Sequence, residues 1–217
     1  MEQQTIPYSY IAIEGNIGAG KTTLATMLAE QFDCRLILEQ FTDNPFLPYF
    51  YNEPDRYAFP LELFFMTERY KQLQSMLPQQ ELFSDLTISD YFYTKTLLFA
   101  RNNLKDEEYR MFKKMFHTLS SAFPKPQIIL YLHRKVDNLL DNIQKRGRQF
   151  EAPITSEYLK KIQDVYFDYF RVETSIPIVI LDVTNVDFIN NIRFFNEVAN
   201  CLSKLYRPGI HHLTISL

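Results

Sequence analysis

The chain has 217 residues, 46% of them hydrophobic and 23% charged, with a formal net charge of −3. That length predicts one domain with a sizeable core, and the slightly acidic balance excludes nucleic-acid binding through a general basic field. Two cysteines, Cys34 and Cys201, are too few for a disulfide scaffold and lack metal-site spacing; with no signal peptide in residues 1–5 and no 18-residue apolar run to span a membrane, the chain reads as cytoplasmic.

In chain order, residues 8–14 (YSYIAIE) form a β-branched run that predicts a first strand, and 21–31 (KTTLATMLAEQ) a helix. A second strand is expected over 35–39 (RLILE), followed by an aromatic loop broken by Pro45, Pro48 and Pro54. Residues 57–77 carry Phe59, Leu63, Met66, Tyr70, Leu73 and Leu77 at helical spacing, with Pro78 as the stop. A third strand is expected over 86–90 (LTISD), then helices over 94–103 and 106–123. Continuous apolar strands over 127–132 and 178–182 alternate with helices over 136–146 and 155–172, and a last helix covers about 188–205. Apolar strands separated by helices predict a parallel sheet covered on both faces, with ligands beyond the carboxyl ends of its strands.

Only five glycines occur, and Gly15, Gly18 and Gly20 fall within six positions. The segment Gly15-Asn16-Ile17-Gly18-Ala19-Gly20-Lys21-Thr22 fits G-x-x-x-x-G-K-[ST] and joins the first strand to the first helix. Such a loop turns backbone N–H groups toward phosphate oxygens at a helix N-terminus. Lys21 then reaches the β- and γ-phosphates and the Thr22 hydroxyl ligates Mg²⁺. The expectation is binding of a nucleoside triphosphate, ATP, by residues 15–23, including Thr23. Glu39 and Asp90 end the second and third strands and so face the same crevice. An alcohol acceptor of a phosphoryl group must lose a proton, which gives a carboxylate work to do; Asp90 is a second Mg²⁺ candidate.

Beyond the loop, the stretch LEQFTDNPFLPYFY at 38–51 with YAF at 57–59, KRGRQFE at 145–151, EYL at 157–159 and LDVTNVDF at 181–188 resemble the deoxynucleoside kinase family, including its bacterial deoxyadenosine and deoxyguanosine kinases. The resemblance implies a three-layer α/β P-loop kinase fold with a five-stranded parallel sheet, one domain over 1–217, an arginine-bearing lid at about 142–153 and a homodimer. It implies phosphorylation of the 5′-hydroxyl of a deoxynucleoside by ATP with Mg²⁺, for nucleotide salvage, without a nucleic-acid or membrane partner. Residue by residue, Glu39 matches the base for the 5′-hydroxyl, Tyr51 a sugar contact, Arg69 an arginine of the nucleoside pocket, Arg146 and Arg148 the phosphate-clamping arginines and Glu151 a sugar-contacting acid. Residues 182–188 match the loop beside the adenine of ATP.

Three positions depart from the family pattern. Tyr91 follows Asp90 where arginine is usual, and Lys95, about one helical turn on, is a candidate to return that charge. Asn142 stands where some relatives have arginine. Glu62 replaces a glutamine that reads the base edge. An ionised carboxylate only accepts hydrogen bonds, which suits the two donors of guanine and opposes adenine or cytosine. Glu62 and Arg69 share a helix face, so Arg69 is expected to meet the guanine carbonyl. Phe41, Phe46, Phe50 and Tyr51 are stacking candidates; His117, His133, His211 and His212 are read as structural or as part of a loose tail. Two other readings stand beside this one: a thymidylate-kinase-like nucleoside monophosphate kinase, and a nucleotide-binding protein with little catalysis.

Overall fold

The structure is a computed structural model that describes residues 5–40, 44–76, 86–121, 123–184, 186 and 191–214. Its strands are β1 (Tyr10–Gly15), β2 (Arg35–Ile37), β3 (Thr87–Ser89), β4 (Ile128–His133), β5 (Pro177–Asp182) and β6 (Gly209–Leu213). Its helices are α1 (Lys21–Phe32), α2 (Leu47–Phe50), α3 (Pro54–Met76), α4 (Lys95–Asn103), α5 (Asp106–Ser120), α6 (Val136–Arg146), α7 (Ser156–Val172) and α8 (Ile192–Leu202), with a 3₁₀ turn at Gln149–Glu151.

The strands form one parallel sheet in the order β2-β3-β1-β4-β5-β6. Among the described residues it has six strands rather than five. The added one, β6, covers the residues expected as a loose tail around His211 and His212. It was hidden because an edge strand needs no continuous apolar run: its residues alternate between half-buried and exposed. β1 is central and buried throughout. Its side chains divide by the period of two: Ile11 and Ile13 join Leu24, Leu28, Phe194 and Val198 on the α1/α8 face, while Ala12 joins Ile129, Leu98, Ile162 and Phe170 on the α4/α7 face. A third cluster, with Phe50, Leu61, Met66, Tyr91, Phe112 and Phe116, packs α2 to α5 beside β2.

Several boundaries move. β2 and β3 are shorter than expected, so Glu39 and Asp90 lie just beyond them in the connecting turns. α3 starts at Pro54, which is pre-organised for a first turn; Leu77 and Pro78 lie outside the described residues. The aromatic loop contains α2, whose Pro48 sits in the first turn, where it needs no intrahelical donor. α5 ends at Ser120 and α8 spans less than expected. α6 stops where Gly147 takes φ +69° and donates its N–H to the Ile143 carbonyl. Among the described residues, no helix is long and apolar enough to cross a membrane.

Candidate active site

β1 lies between β3 on one side and β4 on the other, so the connections beyond their carboxyl ends diverge and open a crevice. The loop from Gly15 to Gly20 sits there and runs into α1 at Lys21. Its glycines make close protein contacts. Gly18 has φ +81°, and a Cβ on it would lie 2.8 Å from the Leu139 carbonyl oxygen of α6. Asn142 of α6 donates to the Gly18 carbonyl at 2.8 Å, and Asn16 to the Leu159 carbonyl of α7 at 2.7 Å. The loop is thus braced from behind by two helices. Lys21 Nζ donates to the Asn16 carbonyl at 2.9 Å. Burial, with the Lys95 ammonium adding, lowers the Lys21 pKa to about 8 against the pull of Glu14, Glu39 and Asp90. Ile17, Gly18, Lys21 and Thr22 line the cleft; Gly15, Asn16, Ala19, Gly20 and Thr23 form the loop and first turn behind them.

From the loop, a hydrogen-bonded chain leads to the far wall. Thr22 Oγ1 donates to Asp90 Oδ2 at 2.6 Å, and the Glu39 N–H donates to Asp90 Oδ1 at 2.7 Å. Arg69 of α3 gives Nε and Nη2 to Glu39 Oε1 at 2.9 and 2.5 Å, and Nη1 to Thr96 Oγ1 at 2.8 Å. Lys95 of α4 gives Nζ to Glu39 Oε2 at 2.5 Å. Burial alone would raise the Glu39 pKa, but the Lys95 and Arg69 charges overcome it and hold the carboxyl well below the usual range. Arg69 is therefore a clamp on Glu39 rather than a free arm toward a base. Behind Glu39, Gln72 donates to the Leu38 carbonyl at 2.7 Å and accepts from the Tyr91 hydroxyl at 2.7 Å, so Tyr91 is a strut under the site. Glu14, buried at the end of β1, accepts the Phe92 N–H at 2.9 Å and the Tyr166 hydroxyl at 2.7 Å; burial raises its pKa.

The acceptor end of the cleft is walled by apolar and aromatic side chains, among them Phe50, Tyr51, Phe65, Phe99, Phe150 and Tyr158. Tyr51 meets Tyr158 edge-on, with ring centroids 5.7 Å apart. Glu62 is buried here: Oε1 accepts from Asn103 Nδ2 at 2.6 Å, and Oε2 has no hydrogen-bond partner. Burial pushes its pKa up to about 7, against the opposing pull of Arg69 and Asn103. The expected sharing of both oxygens with a ligand is thereby modified, because one already serves Asn103. At the end of α6, Arg146 holds Glu151 Oε2 through Nε at 3.0 Å and Nη2 at 2.5 Å, and Arg148 Nη1 lies 3.4 Å from Glu151 Oε1. All three line the same cleft.

The structure thus brings Lys21, Thr22, Glu39, Tyr51, Glu62, Arg69, Asp90, Arg146, Arg148 and Glu151 around one cleft. Phe46 packs in the α2–α5 cluster instead, and Phe41 lies outside the described residues. Asp182 caps its own turn, accepting the Thr184 N–H at 2.9 Å, away from the cleft lining; Asn185, Asp187 and Phe188 are outside the described residues. His133 meets Gln163 at 2.7 Å, far from any nucleophile pattern. Sequence reasoning assigned no role in the site to Phe65, Phe99, Asn103, Phe150 or Tyr158. A signal was present on α4: Lys95, Phe99 and Asn103 recur every four residues and share one helix face.

Thr22 and Asp90 offer a hydroxyl and a carboxylate oxygen beside the loop, a hard-oxygen pair that suits Mg²⁺ bound together with phosphate oxygens and water. No cluster of three or more His, Cys, Asp or Glu side chains that could hold a metal occurs among the described residues.

A profile of the deoxynucleoside kinase family matches residues 11–207. The chain is 36% identical over 200 residues to a deoxyguanosine kinase of Bacillus subtilis (strain 168), covering 90% of this chain and 97% of that one. It is 29% identical over 181 residues to a deoxyadenosine kinase of Dictyostelium discoideum, covering 82% and 74%. A deoxyadenosine kinase from M. mycoides, solved with bound dCTP, has a similar fold, with a TM-score of 0.74 at 22% identity over 88% of this chain and 98% of that one.

Proposed function

The chain belongs to the deoxynucleoside kinase family, a family of phosphotransferases, and on that premise we propose that it moves the γ-phosphoryl of ATP to the 5′-hydroxyl of a purine deoxynucleoside, with deoxyguanosine preferred. The observation that carries the reading is the chain Thr22–Asp90–Glu39, which ties the phosphate loop to a half-buried, doubly ion-paired carboxylate. The loop holds the donor phosphates and Lys21 contacts their terminal oxygens. Glu39 accepts the 5′-hydroxyl proton as the oxygen attacks. Its depressed pKa is no obstacle, because a loose phosphoryl transition state draws mainly on positioning and electrostatics. Arg146 and Arg148, released from Glu151 as the segment at 142–153 closes, clamp the moving phosphoryl group. Glu151 and Tyr51 are then free for the sugar. Thr22 and Asp90 would hold Mg²⁺, whose charge offsets that of the phosphates.

The preference for guanine rests on Glu62, whose unpartnered Oε2 is an acceptor suited to the N1–H and N2–H donors of guanine. The B. subtilis relative bears the name deoxyguanosine kinase, but the D. discoideum one does not, so base choice is a matter for measurement. Glu39 disfavours the monophosphate-kinase reading, since its negative charge would face an anionic acceptor. The proposal includes a cytoplasmic homodimer; the unpaired thiols of Cys34 and Cys201 agree with a reducing compartment. The deciding assay offers Mg-ATP with the four deoxynucleosides, their ribose counterparts and dGMP, and scores phosphorylated products. Deoxyguanosine is expected to give dGMP fastest. Turnover of dGMP alone would favour the monophosphate-kinase reading, and ATP binding without any product would favour a non-catalytic one.

A further inference from the structure

Glu39 is crowded before any acceptor arrives. A carboxylate offers about four lone-pair positions, two per oxygen. Oε1 takes two N–H bonds of Arg69 and is full. Oε2 takes Lys95 Nζ at 2.5 Å and keeps one position. A hydroxyl that gives its proton to Glu39 therefore has one place to dock, on the oxygen already holding the lysine. Two donors on one oxygen stand roughly 4–4.5 Å apart, so the attacking oxygen and the Lys95 ammonium are forced to be neighbours.

Among the described residues, no other cation of the cleft is bonded to Glu39 Oε2. Arg69 donates Nη1 to the Thr96 hydroxyl. Arg146 and Arg148 are engaged with Glu151. Lys21 donates to the Asn16 carbonyl within the phosphate loop. Lys95 is different. It is 4% exposed, its ammonium lies 5.5 Å from the centre of the Phe99 ring, and among the described residues Glu39 Oε2 is its one acceptor. An ammonium carries three N–H donors, so two are left to point into the cleft that Lys95 lines.

We propose that Lys95 is a catalytic residue: its ammonium, seated on Glu39 Oε2, stands beside the attacking 5′-oxygen and contacts the transferring phosphoryl group. The proposal rests on the kinase reading above and adds to it the group that serves the acceptor oxygen. In the step, the O5′–P bond forms while the bond from phosphorus to the β–γ bridging oxygen breaks. The electron pair leaves on ADP and the hydroxyl proton passes to Glu39 Oε2. Lys95 keeps its proton throughout and stabilises negative charge on the oxygens around phosphorus, as a fixed cation in a water-poor site does best. Phe99 beside the ammonium and the apolar side chains elsewhere in the lining supply the surroundings that keep that charge strong.

The test compares wild type, Lys95→Met and Lys95→Arg with Mg-ATP and the best deoxynucleoside, across pH 4–9, together with ATP binding by calorimetry. Lys95→Met is expected to lower kcat by about 10²–10³-fold, with ATP affinity and nucleoside KM within about threefold of wild type. It also removes one of the two cations that keep Glu39 ionised, so kcat/KM should gain an acid limb at higher pH than wild type. Lys95→Arg should recover a substantial part of kcat and lose that limb. An active wild type with a Lys95→Met variant of unchanged kcat and unchanged pH profile overturns the proposal alone. If Lys95→Met loses ATP binding, Lys95→Arg decides: a retained charge that binds ATP normally yet restores no turnover overturns it too. A wild type that phosphorylates no deoxynucleoside overturns the kinase reading first, and this proposal with it.

Discussion

The two ends of the cleft are built by opposite means. At the donor end, eight consecutive residues spanning the junction of β1 and α1 present backbone groups, and the neighbouring helices brace them through Asn16 and Asn142. At the acceptor end, Glu39, Tyr51, Glu62, Arg69, Lys95, Asn103 and Tyr158 come from five separate stretches of chain and work through side chains. A phosphate is the same on every nucleotide and can be met by peptide dipoles held in one local shape. A nucleoside must be told from its neighbours, and that takes buried polar side chains whose partners are far away in sequence. The donor end is therefore sturdy and generic, while the acceptor end is individually tuned.

The contrast can be tested from its strongest point downward. Glu39→Gln should cut kcat by about 10²–10⁴-fold with ATP affinity little changed; measured by steady-state kinetics and calorimetry, a parallel loss of ATP binding would mean that the ends are not separable. Gly18→Ala should do the reverse. Its Cβ meets the Leu139 carbonyl at 2.8 Å in a left-handed conformation, and strain of about 1–3 kcal/mol should weaken ATP binding by roughly 10–100-fold while deoxynucleoside binding is spared.

Glu62→Gln should narrow the preference of deoxyguanosine over deoxyadenosine by roughly tenfold, the worth of one mispaired buried group. In wild type the same ratio should fall as pH drops through about 7, because a neutral Glu62 gains a donor for adenine; in Glu62→Gln it should be flat. Stability must follow the same sign. A carboxyl whose folded pKa is about 7 against 4.5 unfolded binds more protons in the native state, so its contribution worsens as pH rises from 4.5 to 7. Thermal melts should show Glu62→Gln more stable than wild type at pH 8, by no more than about 3 kcal/mol, and without that gain at pH 4. The smallest effect is expected from Asn142→Ala, which loses one partly buried hydrogen bond to the loop: ATP KM should rise only about two- to tenfold, with base preference untouched.

The same division decides what was legible. The phosphate loop was plain because its requirements are local: glycines at set spacing, a lysine and a threonine at a strand–helix junction. The sheet was legible from its apolar runs, except for β6, whose two histidines and alternating exposure suit an edge. At the acceptor end the residues that match the family's pattern were found one by one, but their bonds were not. That Arg69 turns to Glu39 depends on α3 lying beside the turn after β2, and that Asn103 occupies half of Glu62 depends on α3 and α4 packing side by side, neither of which any periodicity within a helix encodes. Lys95 lies between these cases. Its charge was noticed against Tyr91, yet only the fold sets it on a carboxylate some fifty residues earlier.

The place of β1 in the sheet bears on how the protein is made. It is the first strand in the chain and the central one, yet its partners are Thr87–Ser89 on one side and Ile128–Leu132 on the other. During synthesis its apolar side chains must wait for both to emerge, a long-range pairing of the slow and aggregation-exposed kind. The nucleotide-binding end, written first and most compactly, is thus completed late. A stalled chain ending before β4 carries the whole phosphate-loop motif without one of the two strands that flank β1 and without the α6 brace behind the loop, so half-made copies should not compete for ATP in the cell.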